Sequence, residues 1–362
     1  MPTSTFSRSL LAAAALALLA GCSGASTSAP LAATAPQGAA ARGAQSGVRG
    51  GRADLAIVRP GVRAPLSNVA PHFVGNTGAF KGTAWVADLG ANDGFGGVYK
   101  VSASGKIKTV SAPSGSSWNM PQGVAIDAKG NVYIADTGNS RVVVLNKGGH
   151  SIAILQDPGQ FPVDVGVAAD GTIGVTNLIS TSGGSGSVSF YSSLKAKSPT
   201  SVATGLFYED YFGAFDAQDN FYVDGEDASG GIHVGVVASG STSVTDTGID
   251  TSAYLFPGGV QVIETGKSPK TVQTLTVGDQ EALDIYTYAL PGYAAGPAVQ
   301  LGGSGDPVSF AFEKAQKLIA TADAENAAVN IFSWPAGGSS PAAVISGFSE
   351  PVGIGIDPSG DE

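Results

Sequence analysis

Short apolar runs alternate along this chain with turns rich in Gly, Asn, Asp and Pro, and the clearest case lies at 121–149. Val124–Ile126, Val132–Ala135 and Val142–Leu145 are rich in β-branched and apolar residues, the composition of strands. They are separated by Asp127–Asn131 and Asp136–Ser140, turns in which Asn and Gly tolerate positive φ. Lys147-Gly148-Gly149 then turns the chain into Ser151–Leu155. The stretch predicts a four-stranded antiparallel meander.

The opening strand of this unit recurs. Phe161–Val167 with Asp170–Ile173 repeats it 41 residues on, and Tyr211–Val223 repeats it again, aligning Asp216 with Asp127 and Asn220 with Asn131. Phe256–Val262 is a weaker copy with Thr271–Val277 as its second strand, and Asp306–Phe312 leads to Lys317–Thr321 and Val329–Phe332. Glu350–Ile356 is a sixth opening strand, and Thr83–Asp88, Gly97–Ser102 and Lys106–Ser111 supply the three strands it lacks. A period of this length decides an architecture before local propensity does. With 52 Gly, 20 Pro and few long helical patterns, the chain is all-β: a sandwich, a barrel or a propeller.

Pro121, Gly123, Val124, Asp127, Gly130, Asn131, Asp136, Asn139 and Arg141 together resemble one NHL repeat, the blade unit of a β-propeller. The resemblance implies a six-bladed β-propeller over 81–362, with four-stranded antiparallel blades and the last blade shared between the N- and C-terminal segments. Gly123, Gly166, Gly213, Gly259, Gly353 and Gly355 are small where inner strands must approach a common axis. It further implies that Asp88, Asp136, Asn139 and Arg141 cap the turn between second and third strands.

Before the repeats, Ser4–Ala20 is apolar, carries Arg8 and is too short to span a bilayer, so residues 1–21 read as a signal peptide. Leu19-Ala20-Gly21-Cys22 resembles a bacterial lipobox, and Cys22 is the only cysteine. That resemblance implies lipidation of Cys22 and an extracytoplasmic protein on the bacterial membrane, the outer membrane if the cell is Gram-negative. Residues 22–80 are dominated by Ala, Gly, Ser, Thr and Pro and read as a flexible tether. Charge follows the same division. Five Arg face Asp54 alone between Ser23 and Phe80, whereas from Lys81 onward 13 Lys and Arg face 28 Asp and Glu, a formal −15. An acidic body argues against nucleic acid as a partner. A monomer is expected.

Candidate chemistry clusters where loops enter the inner strands: Gln122, Asp164, Glu209, Asp210, Asp306 and Glu350, with Trp118 on one approach as a stacking residue or a cover for a seam between blades. Acids around a ring could hold Ca²⁺, which takes six to eight oxygens, or could be solvated turn residues. The calcium-dependent lactonases of the gluconolactonase/regucalcin family share the implied architecture, but their Glu–Asn–Asp metal set has no counterpart here. Propeller lyases that linearise streptogramin use a His, and His72, His150 and His233 all lie away from the inner-strand entrances. No Gly-x-Ser-x-Gly elbow stands in a strand-turn-helix context. Two functions remain: a membrane-anchored binding or scaffold module for a protein or carbohydrate, or a divergent metal-dependent hydrolase or lyase working at the channel mouth.

Overall fold

The computed structural model describes residues 57, 71–74, 81–266, 271–357 and 359. By internal contact the chain divides after Ala40, and all described residues belong to the second unit. The expected signal peptide, Cys22 and most of the expected tether lie outside the described residues.

Six antiparallel sheets form a ring. Blade 1 takes its outer three strands from Thr83–Asp88, Gly97–Ser102 and Ile107–Val110 and its inner strand from Pro351–Ile356. Blade 2 spans Pro121–Gln156, blade 3 Gln160–Ala203 and blade 4 Glu209–Asp246. Blade 5 runs from Pro257 to Gln300 and blade 6 from Pro307 to Ser346. Ala84 faces Ile356, Val86 faces Ile354 and Ala87 faces Gly353 across the joint, so the two ends of the propeller meet in one sheet. Such a ring covers its own sheet edges.

Strand alternation explains why each blade adheres to both neighbours. Successive side chains of a strand point to opposite faces. In blade 2, Val143 and Leu145 join Trp85 and Val98 of blade 1, while Val142 and Val144 join Ile173 and Val175 of blade 3. Both faces are therefore apolar, and a fully buried Val or Leu contributes about 1.5–3 kcal/mol. Near the axis the inner strands come so close that a Cβ on Gly353 would strike the Gln122 carbonyl, and one on Gly123 would strike Asp164. Glycine at these two positions is a packing requirement.

Two pieces of the expected tether are docked on the ring. His72–Val74 pairs antiparallel with Ala343–Ser346 as a fifth strand of blade 6. Ile57 is fully buried in the apolar cluster at the centre. Composition concealed both, because one strand of three residues and one aliphatic side chain leave no periodic pattern.

Candidate functional site

The site is the central channel, and its two ends differ. At the entrance, where loops lead into the inner strands, five of the six strands carry proline: Pro121, Pro162, Pro257, Pro307 and Pro351, with Tyr211 in the fourth. Proline lacks a donor and is confined in sheets to edges and strand starts; an inner strand is an edge facing the channel. In blades 1, 2, 5 and 6 the loop preceding the inner strand is held by an acid ending the second strand of the same blade. Asp88 accepts from the N–H groups of Ser349 (2.8 Å) and Glu350 (2.7 Å), and Asp136 from that of Asn119 (2.8 Å). Asp279 accepts from Leu255 (2.7 Å) and Phe256 (3.3 Å), and Asp323 from Gly305 and Asp306 (both 3.0 Å). The caps foreseen at Asp88 and Asp136 thus reach further than a strand turn. In these four blades they tie the blade to the connection arriving from its neighbour. Blade 3 has Asn177 in that place, and its amide instead donates to Ser187 and Ser189.

The candidate residues are mostly committed to this frame. Trp118 is buried in the seam between blades 1 and 2, its indole N–H donating to the Val110 carbonyl at 2.9 Å, so it covers a seam and presents no stacking face. Asp306 is buried, and Glu350, half-buried, accepts the Leu89 N–H at 2.8 Å through its own carbonyl. Glu209 accepts the Tyr211 hydroxyl at 2.7 Å. Asp210 is fully buried and accepts the Thr204 hydroxyl at 3.0 Å. Asp164 is a strut between inner strands, lying against Gly123 and accepting the Gly213 N–H at 3.1 Å.

Burial dominates the electrostatics of these acids. It pushes the Asp164 carboxyl up to about 7 against the lowering effect of the Gly213 and Val165 N–H groups. Burial raises Asp210 well above the usual carboxylate range, and Asp224 likewise, with Asp164 and Asp210 adding to the latter as like charges. Among the described residues no three His, Cys, Asp or Glu side chains are grouped to hold a metal ion. The Ca²⁺-binding mouth that the sequence left open beside solvated turn residues has no such ligand set among the described residues. Of the histidines, His233 lies on the third strand of blade 4, 3.2 Å from Asp227 and 3.4 Å from Asp246.

The entrance is closed on the axis by Ile57. Its N–H donates to Gln122 Oε1 and its carbonyl accepts from Gln280 Nε2, both at 2.8 Å. Leu89, Val163, Leu178, Val308 and Val352 belong to the same buried cluster. The opposite end is open. There a cavity of about 350 Å³ is lined by apolar residues of every inner strand, among them Ile126, Val167, Phe215, Val262, Phe312 and Ile356. Gln261, Glu313 and Lys314 are its polar neighbours. Sequence reasoning passed over this end because hydrophobic strand residues look alike whether they face a seam or a cavity. Gln280 carried a readable sign, since the equivalent place after the other second-strand acids holds Leu89, Thr137, Gly225 or Ala324.

These features define a six-bladed β-propeller. Residues 119–145, the inner three strands of blade 2, match the NHL repeat. No curated protein matches the chain by sequence. Among solved structures it is similar to a chain of the nidogen/laminin complex, with a TM-score of 0.59 at 13% identity over 76% of this chain and 98% of that one. It is also similar to a streptogramin B lyase, at 0.53 and 13% over 80% and 93%. A catalytically inactive virginiamycin B lyase from Staphylococcus aureus with quinupristin aligns at 0.51 and 13% over 75% and 85%. At such identities the likeness is one of fold.

Proposed function

We propose that this chain is a non-enzymatic binding propeller, held on the extracytoplasmic face of a bacterial membrane through a lipid on Cys22, that receives an apolar ligand group in the open end of its channel. One observation carries the binding reading: the cavity of about 350 Å³ to which all six inner strands give an apolar residue. Ligand pockets typically hold about 300–1,000 Å³, lined by apolar side chains with a few polar groups to orient the guest. Gln261 and Glu313 occupy that orienting position here. The lipobox Leu19–Cys22 supports the anchor. Of the entrance acids that would serve a hydrolase, Asp164 instead braces an inner strand, Asp210 accepts the Thr204 hydroxyl and Glu209 the Tyr211 hydroxyl.

Titrating the full protein with defined probes tests this reading: apolar peptides, oligosaccharides and lactones, the last with and without divalent ions. Saturable binding of an apolar probe is expected, and Ala125→Trp, which fills the cavity from blade 2, should abolish it. Metal-dependent turnover of a lactone at an enzymatic rate, or binding indifferent to Ala125→Trp, would overturn it.

A further inference from the structure

The closed end of the channel is more than a packed plug. Two positions per blade surround it: the second residue of each inner-strand motif and the residue after each second-strand acid or amide. Nine of these twelve places hold Gly or an apolar residue, and the three polar ones are Gln122, Thr137 and Gln280. All three are fully buried. They serve one residue. Gln122 accepts the Ile57 N–H and passes its own amide to Thr137 Oγ1 at 2.8 Å, which donates to the Pro162 carbonyl at 2.7 Å. Gln280 donates to the Ile57 carbonyl at 2.8 Å and to the Pro257 carbonyl at 2.6 Å. Blades 2 and 5 lie across the ring from each other, so one residue is gripped from opposite sides of the axis, by its donor and by its acceptor.

A plug needs only apolar volume. A buried amide aimed at an apolar mouth costs free energy unless it is bonded, so two glutamines matched to the N–H and the C=O of one residue, on either side of its Cα, are the features of a backbone receptor. The aliphatic side chain of Ile57 is fully buried in the same apolar cluster as Leu89, Val163, Val308 and Val352. We infer that the entrance mouth is a peptide-binding site, selective for a branched aliphatic residue on a chain whose backbone is read by Gln122 and Gln280, and that Ile57 is its ligand in cis. A peptide offered in trans must compete with a segment held at an effective concentration of about millimolar.

Hydrogen exchange and peptide titration on the full-length protein test this site, with a labelled peptide of the sequence Ala-Asp-Leu-Ala-Ile-Val-Arg-Pro-Gly, residues 53–61. In the natural chain the Ile57 amide should exchange at least about tenfold more slowly than in the free peptide, the effect of one buried hydrogen bond. Gln280→Glu, which sets a carboxylate against the Ile57 carbonyl, should remove that protection. Ile57→Asp should vacate the site and raise affinity for the labelled peptide by about tenfold or more over the natural chain, and a peptide with Asp in place of Ile should not bind. Rapid exchange of Ile57 in the natural chain, exchange unaltered by Gln280→Glu, or a folded Ile57→Asp protein that takes up no peptide would each overturn the inference. The exchange experiments decide the matter even where Ile57→Asp does not fold.

Discussion

Asp136 shows how much of a blade one carboxylate can hold. It is fully buried and accepts from the Asn119 N–H, the Asn139 amide at 2.8 Å and the Arg141 Nε at 2.7 Å. Removing one partner of a buried ion pair strands the other, so Asp136→Ala should cost about 3–5 kcal/mol in urea denaturation. Asp164 sets a different expectation. Its folded-state carboxyl titrates near 7 and that of Asp157 near 6, both above the ordinary 3.8, because burial disfavours their charged forms. The folded protein therefore holds protons that the unfolded chain has released between about pH 4 and pH 7. Their stabilising contribution is complete below pH 4 and lost as pH rises through 6 and 7. Denaturation midpoints should accordingly fall over that window, and Asp164→Asn should flatten its upper part. A midpoint that climbs from pH 5 to pH 7.5, or an unaltered slope in the variant, would contradict this.

At the level of the strand, blade 1 is the vulnerable element. Its inner strand is joined to the rest of the blade only by pairing, since Pro351–Ile356 and Thr83–Asp88 are remote in sequence. Deleting residues 350–362 would leave the Thr83–Asp88 edge unpaired and strip the apolar cluster at the junction of blades 1 and 6 of Val352's neighbours Ile354 and Ile356. Exposed edges of this kind recruit other chains. Size-exclusion chromatography of the truncated protein should show aggregates; a soluble monomer would mean that blade 1 stands without its inner strand. The strand pattern of the repeats was legible beforehand. Val132–Asp136, Arg141–Leu145 and Ser151–Gln156 fall within a residue or so of where the turn-bounded apolar runs put them. Blade 5 was less clear, because Pro257–Thr265 and Val272–Asp279 are long strands whose third partner, Asp284–Leu290, mixes tyrosines with polar residues.

For the whole molecule, the proposed anchor can be tested apart from the ring. If Cys22 carries the proposed lipid, Cys22→Ala should release the protein from membranes in cell fractionation, because acyl chains supply the membrane affinity. Retention in the membrane fraction would remove the lipid from the account. Charge is divided in the same way along the sequence: five Arg face Asp54 alone between Ser23 and Phe80, and the formal charge is −15 from Lys81 onward.

The sequence by itself determined the number of blades, the order of strands and the pairing that closes the circle. Those follow from turn-bounded apolar runs, their repetition and their likeness to one NHL blade, which each segment displays without reference to its neighbours. Which end of the channel is open, and what closes the other, was decided only by the tertiary structure. Ile57, Gln122 and Gln280 are far apart along the chain and meet because six inner strands converge, and no local pattern encodes a meeting of that kind. The same holds for Asp164 and Trp118: each could have been a binding group or a structural one until convergence put the first between strands and the second in a seam.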